Sequence, residues 1–95
     1  MDLLEKIERN RHYWEEPSKY VLVKTVDAAS AQHEYQQYLI MEADDRRYVL
    51  INDNALAKAI IERMIMAGCT IYENMKTYDQ AVPLKPKPTE FKPWW

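Results

Sequence analysis

Residues 38–51, YLIMEADDRRYVLI, decide how this chain folds. Two apolar runs, Tyr38 to Met41 and Tyr48 to Ile51, flank the polar stretch Glu42 to Arg47. Short runs rich in aromatic and β-branched residues on either side of a polar break read as two strands of a hairpin. Asp44 and Asp45 then fall at the turn, where aspartate tolerates unusual backbone angles. Upstream, DAASAQHEYQQYL (27–39) fits two descriptions. One is a helix capped by Asp27, with Ala28, Ala31, Tyr35 and Tyr38 near helical spacing. The other is a loop to about Gln32 and a strand from Glu34 to Glu42. The hairpin pattern favours the strand.

Working outward, KYVLVKTV (19–26) reads as another strand. Before it, Asp2 can cap a helix to about Glu16, with Glu5 three residues on as in a capping box. Leu3, Leu4, Ile7 and Trp14 share one stripe expected to pack on the sheet, and Pro17 ends the helix. After the hairpin, Asn52-Asp53-Asn54 offers a cap for the clearest helix, Ala55 to Ala67, which Gly68 terminates. CTIYE (69–73) can form a short fourth strand. Asn74 to Gln80 reads as a polar connector or a short helical turn. The expected fold is α+β: a three- or four-stranded, mainly antiparallel meander over residues 1–80. Its N-terminal helix and the helix 55–67 pack on one face, and an extended tail follows over 81–95.

The order helix, three strands, helix from Met1 to Gly68 resembles the topology of double-stranded RNA-binding domains. That family grips phosphates with a lysine cluster at the start of its last helix. Here the position holds Asn52-Asp53-Asn54, with only Lys58 nearby. The departure removes the main reason to carry RNA binding over.

Composition points the same way. The chain has 95 residues, enough for one domain, and a net charge of −2. Setting aside the tail's three lysines and one glutamate leaves ten basic and fourteen acidic residues on the body, a net of −4. An acidic body argues against nucleic acid, whose affinity is dominated by phosphate contacts. One cysteine, no apolar signal core in MDLLEKIERNRHYW, and no apolar run of about 20 residues lead to an expectation of the cytoplasm, with no membrane involved. For a phage protein this would be the host cytoplasm.

Little here suggests chemistry. His12 and His33 do not lie in a metal-binding spacing, and a single glycine cannot build a phosphate cradle. Cys69 lacks an electropositive neighbourhood in sequence. Glu15-Glu16 and Asp44-Asp45 are adjacent acids expected to point apart into solvent. No catalytic residue, metal or cofactor is expected, and the chain is not expected to be an enzyme.

Surfaces for binding are easier to find. On the helix 55–67, Leu56, Ala57, Ile60, Met64 and Ala67 gather on the sheet-facing side. Ile65 and Met66 fall instead beside Lys58 and Glu62, away from the core, and suggest a second contact surface. The tail AVPLKPKPTEFKPWW (81–95) alternates lysine with proline and should be extended. It ends in Phe91, Trp94 and Trp95, aromatics suited to anchoring on the chain's own body, a sister copy or another protein. Tyrosines in the strands leave one sheet face lined by Tyr and Gln and expected to be open.

The leading expectation is a non-enzymatic protein-interaction module using Ile65, Met66, Phe91, Trp94 and Trp95. It would act as a homo-oligomer or as an adaptor or inhibitor of a larger protein, in the manner of phage and mobile-element accessory proteins. A second expectation is an oligomer that sequesters a small nucleotide, with Tyr35, Tyr38 and Tyr48 stacking on a base and Arg46 or Arg47 meeting phosphate. The third is a nucleic-acid-binding accessory domain working through the tail and one sheet face.

Overall fold

The computed structural model describes residues 2–25, 37–82 and 86–90. Strand Tyr38–Glu42 (β2) lies at the centre of the sheet, between Tyr20–Lys24 (β1) and Arg47–Leu50 (β3). Both pairings are antiparallel, with Leu22 opposite Ile40 and Ile40 opposite Val49. The hairpin read from residues 38–51 is therefore present. Residues 27–36, where helix and strand competed, lie outside the described residues.

The turn differs in one detail. Asp44 and Asp45 occupy it, but the positive φ, 56°, falls on Arg46. The Arg46 N–H donates to the Glu42 carbonyl at 3.0 Å, which closes the turn at that residue.

The N-terminal helix is broken rather than continuous. Leu3–Arg9 (α1) is capped by Asp2, whose carboxylate accepts from the Glu5 N–H at 2.8 Å. Asn10, buried, then donates its side-chain amide to the Lys6 carbonyl at 2.7 Å. Such a back-bond competes with helix continuation. The chain tightens through Asn10 and resumes as His12–Glu15 (α2), which puts Tyr13 into the core. Leu3 and Leu4 remain exposed, and Ile7 and Trp14 pack partly against the core.

After β3, Asp53 caps Asn54–Met66 (α3) by accepting the Leu56 N–H at 3.0 Å. A helix returns the chain to the end of the sheet where β3 began. The next strand, Thr70–Tyr72 (β4), therefore runs parallel to β1, beside which it pairs. Met75–Ala81 (α4) follows, capped by Asn74, and Thr89–Glu90 (β5) adds parallel to β3. The result is a five-stranded mixed sheet in the order β4-β1-β2-β3-β5. This corrects the expectation of a three- or four-stranded, mainly antiparallel sheet. Two strands reached by helical crossovers add in parallel at its two edges. The helix–three-strand–helix order is present, but the sheet continues beyond it on both sides.

The helices also do not share one face. α3, α2 and α1 cover the face that carries Leu22, Tyr38, Ile40 and Val49. On the other face Val23, Leu39 and Met41 are buried with Tyr78 of α4, flanked by Val21, Tyr48, Leu50, Tyr72, Met75 and Val82. The face expected to be open is thus covered. The geometry of crossovers accounts for this. From β3 to β4 the chain moves across the sheet in one direction, and from β4 to β5 it moves back. Two crossovers of the same hand must then place their helices on opposite faces.

Arg46 ties the second layer down. Its side chain is only 4% exposed. Its guanidinium lies 4.7 Å from the centre of the Tyr78 ring and donates from Nη2 to the Asp79 carboxylate. Its carbonyl accepts the Thr89 N–H at 3.1 Å, which attaches β5. No helix among the described residues is long and apolar enough to cross a membrane.

Asp79 is partly exposed, which screens the pair, but its loss leaves a buried guanidinium without a counter-charge. Asp79→Ala should cost about 1–3 kcal/mol in urea unfolding. Glu42→Ala, which removes the half-buried partner of the exposed Arg47, should cost about 1 kcal/mol.

Candidate interaction surface at the α3–β4 corner

Among the described residues, the large apolar side chains left exposed are Leu3, Leu4, Ile65, Met66 and Ile71. Three of them fall within seven residues, where α3 turns into β4. The turn itself is rigid. Gly68, at φ 88°, donates its N–H to the Ile65 carbonyl, and Cys69 donates to the Met64 carbonyl, each at 3.1 Å. This doubly bonded left-handed stop satisfies the last carbonyls of the helix. It also fixes where β4 leaves.

The position of each side chain follows from helix and strand geometry. Leu56, Ala57, Ile60, Ile61 and Met64 are the buried stripe of α3. Arg63 lies on one flank of it, with its guanidinium 5.5 Å from the Trp14 ring of α2. Ile65, two residues on, is rotated about 160° from Arg63. It continues the Ile61 side of the stripe on the flank away from α2 and is 39% exposed. Met66 points outward at 82% exposure. Ile71 pairs with Leu22, a first-core residue, so its side chain is on the α3 face of the sheet; it too is 39% exposed.

β4 is an edge strand. Its inner side pairs with β1, and no described strand pairs with its outer side. Thr70 to Tyr72 carry no charge or proline to discourage pairing, the usual protections of such an edge. The opposite edge, β5, is preceded by Pro86, Lys87 and Pro88, which are such protections. Glu62 and Glu73 are exposed beside the corner and take part in none of the described salt bridges. The corner is therefore an apolar patch beside a strand whose outer side pairs with no described strand, with charges of both signs, Glu62, Glu73 and Arg63, near it.

The other sequence-derived residues do not converge. Tyr38 is buried in the first core, with the Lys24 Nζ 5.8 Å above its ring, while Tyr48 packs on the opposite face. Arg46 is buried against Tyr78 and Asp79. Arg47 forms a two-point ion pair with Glu42, at 3.0 and 2.9 Å. Tyr35, Phe91, Trp94 and Trp95 lie outside the described residues. Ile71, Tyr78 and Asp79 were not singled out from the sequence. Ile71 sits in a strand that was recognised, but only the strand order reveals that this strand is an edge.

Two shallow depressions are lined by charge rather than by convergent reactive groups. One, of about 380 Å³, lies along Glu8, Arg9, Arg11, His12 and Glu15. The other, of about 200 Å³, lies between Lys19, Tyr20, Glu42, Asp44 and Asp45. No group of three or more His, Cys, Asp or Glu among the described residues is arranged to hold a metal. Cys69 is buried, and its thiol donates to the Tyr20 carbonyl at 3.2 Å. Burial pushes its pKa up to about 11, against the smaller opposing pull of the Leu22 backbone N–H. A thiol in that state is a poor nucleophile at neutral pH.

No family model, no curated protein and no solved structure matches the chain.

Cys69 and three tyrosines share one pH dependence. Burial is the largest cause raising Tyr13, Tyr20 and Tyr78 above the ordinary tyrosine value. The folded state thus holds these protons more tightly than the unfolded state. The associated stability is complete below the ordinary values and is lost as pH rises through the folded ones. The melting temperature should fall from about pH 9 upward, most steeply through pH 10–11. At pH 8 iodoacetamide should label Cys69 slowly in buffer and rapidly in urea. Fast labelling of the folded chain would show the thiol to be activated.

Proposed function

We propose that this chain is a protein-interaction module that docks through the α3–β4 corner, Ile65, Met66 and Ile71 beside the bare edge of β4. The observation that carries the reading is the coincidence of exposed apolar side chains with a sheet edge whose outer side pairs with no described strand. Main-chain groups on an edge strand offer hydrogen bonds to an incoming extended segment, and neighbouring apolar side chains supply burial. Burying Met66, 82% exposed, is worth about 1.5–3 kcal/mol, and covering the remaining surface of Ile65 less than half of that, so the corner contributes measurably to an interface. An adaptor or an inhibitor needs no more chemistry than this. The dispersal of Tyr38, Tyr48, Arg46 and Arg47 over two faces and two ion pairs gives no comparable support to a nucleotide site.

The test is to make the corner polar with Ile65→Gln and Met66→Gln. Both side chains are exposed enough that unfolding should shift by no more than about 1 kcal/mol. Association, followed by light scattering and by hydrogen exchange at Thr70 to Tyr72, should be lost. Association that persists unchanged with the corner made polar would overturn the reading.

A further inference from the structure

Resting on that corner, we infer that its occupant is the aromatic end of a second copy of this chain, so that the molecules join head to tail. The inference begins with where the tail leaves the sheet. Glu90 pairs with Tyr48, Tyr48 with Met41, Met41 with Val21, and Val21 with Thr70. Glu90 and Thr70 are therefore the two ends of one row that crosses all five strands. Four strand spacings separate them, about 19 Å. From Glu90 the Cα of Trp94 can lie at most about 14 Å away and that of Trp95 about 18 Å, with an indole adding about 6 Å. That span would suffice only along the direct line, which runs through the sheet; either detour passes over a layer of helices about 10 Å thick and is too long. The tail of a molecule thus cannot seat its tryptophans at its own α3–β4 corner. The tail of a neighbour meets no such limit.

Three further features fit this occupant. The first is charge. The tail, residues 81–95, carries three lysines against one glutamate, a net of +2, and the body it would dock on has a net of −4. The second is area. Phe91, Trp94 and Trp95 can each bury about 150–250 Å². Ile65, Ile71 and above all Met66 keep apolar surface exposed to receive them. The third is the contrast between the two edges. Pro86 and Pro88 remove backbone donors beside β5, which discourages a second β5 from pairing there, while Thr70 to Tyr72 of β4 carry no proline or charge. Unlike surfaces meeting in this way give a heterologous interface, which closes as a ring or continues as a chain.

The experiment is a mixing test on the full chain. One variant carries Trp94→Ala and Trp95→Ala, and the other carries Ile65→Gln and Met66→Gln. Thermal melts establish that both are folded. The unaltered chain should show a mass that rises with concentration above the 11.4 kDa of one molecule. Each variant alone should be monomeric at the same concentrations. Their equimolar mixture should give a species of twice the chain mass that grows no further, because only one intact tail and one intact corner remain to meet. A mixture that stays monomeric would overturn the inference, as would a tail variant that assembles like the unaltered chain, or an unaltered chain that is monomeric throughout. If the corner variant alone loses assembly while the tail variant keeps it, the corner still docks and only its occupant has been misidentified. If neither variant changes the assembly, the corner reading fails as well.

Discussion

Four consecutive residues of β2, Tyr38 to Met41, are buried, and successive side chains on a strand point to opposite faces. The central strand therefore has no face for water. Tyr38 and Ile40 require cover on one side, and Leu39 and Met41 require it on the other. A meander with helices on one side would leave Leu39 and Met41 bare, at a cost of about 1.5–3 kcal/mol for each large apolar side chain. The chain meets this demand with two crossovers that travel in opposite directions, so α3 and α4 fall on opposite faces. The parallel edges β4 and β5 are consequences of the same route.

The second layer is thin, and Arg46 compensates for that. α4 has seven residues and contributes one fully buried side chain, Tyr78. A helix of that length has little stability of its own. The guanidinium of Arg46 lies against the Tyr78 ring and binds Asp79, while its backbone holds Thr89. One residue in a tight turn thus connects the central hairpin to α4 and to β5. Asp79 is half exposed, so the pair itself is screened, and the larger contribution is the contact of the buried guanidinium with the Tyr78 ring.

The sequence made the hairpin, α3 and its Gly68 stop legible, because each has a local cause: alternating apolar runs, an Asp cap, a lone glycine. It also placed Ile65 and Met66 off the buried stripe by helical spacing alone. What it did not make legible depends on non-local facts. α4, MKTYDQA, was legible only as one of two options, a connector or a short helical turn, its local sign being the Asn74 cap, whose side chain accepts from the Thr77 N–H at 2.8 Å; its place on the second face was not. The parallel pairing of β4 could have been argued from strand, helix, strand in succession. The break at Asn10 turns on one side chain preferring the Lys6 carbonyl, and periodicity does not register that. Arg46 resembled a surface arginine beside Arg47, and nothing local to the pair distinguishes the buried one from the exposed one. Ile71 became a candidate only when its strand proved to be an edge.

Cover on both faces has an effect on how copies of this domain can meet. Sheet-on-sheet stacking needs bare faces, and here each face of the central strands lies beneath a helix. The remaining route for extending the sheet is sideways, along the direction of its hydrogen bonds. In that direction the two edges are chemically unlike: β4 is a short apolar strand, and β5 is preceded by Pro86, Lys87 and Pro88. A unit of that kind carries polarity, as a word does, and an array built from it would have a distinguishable beginning and end.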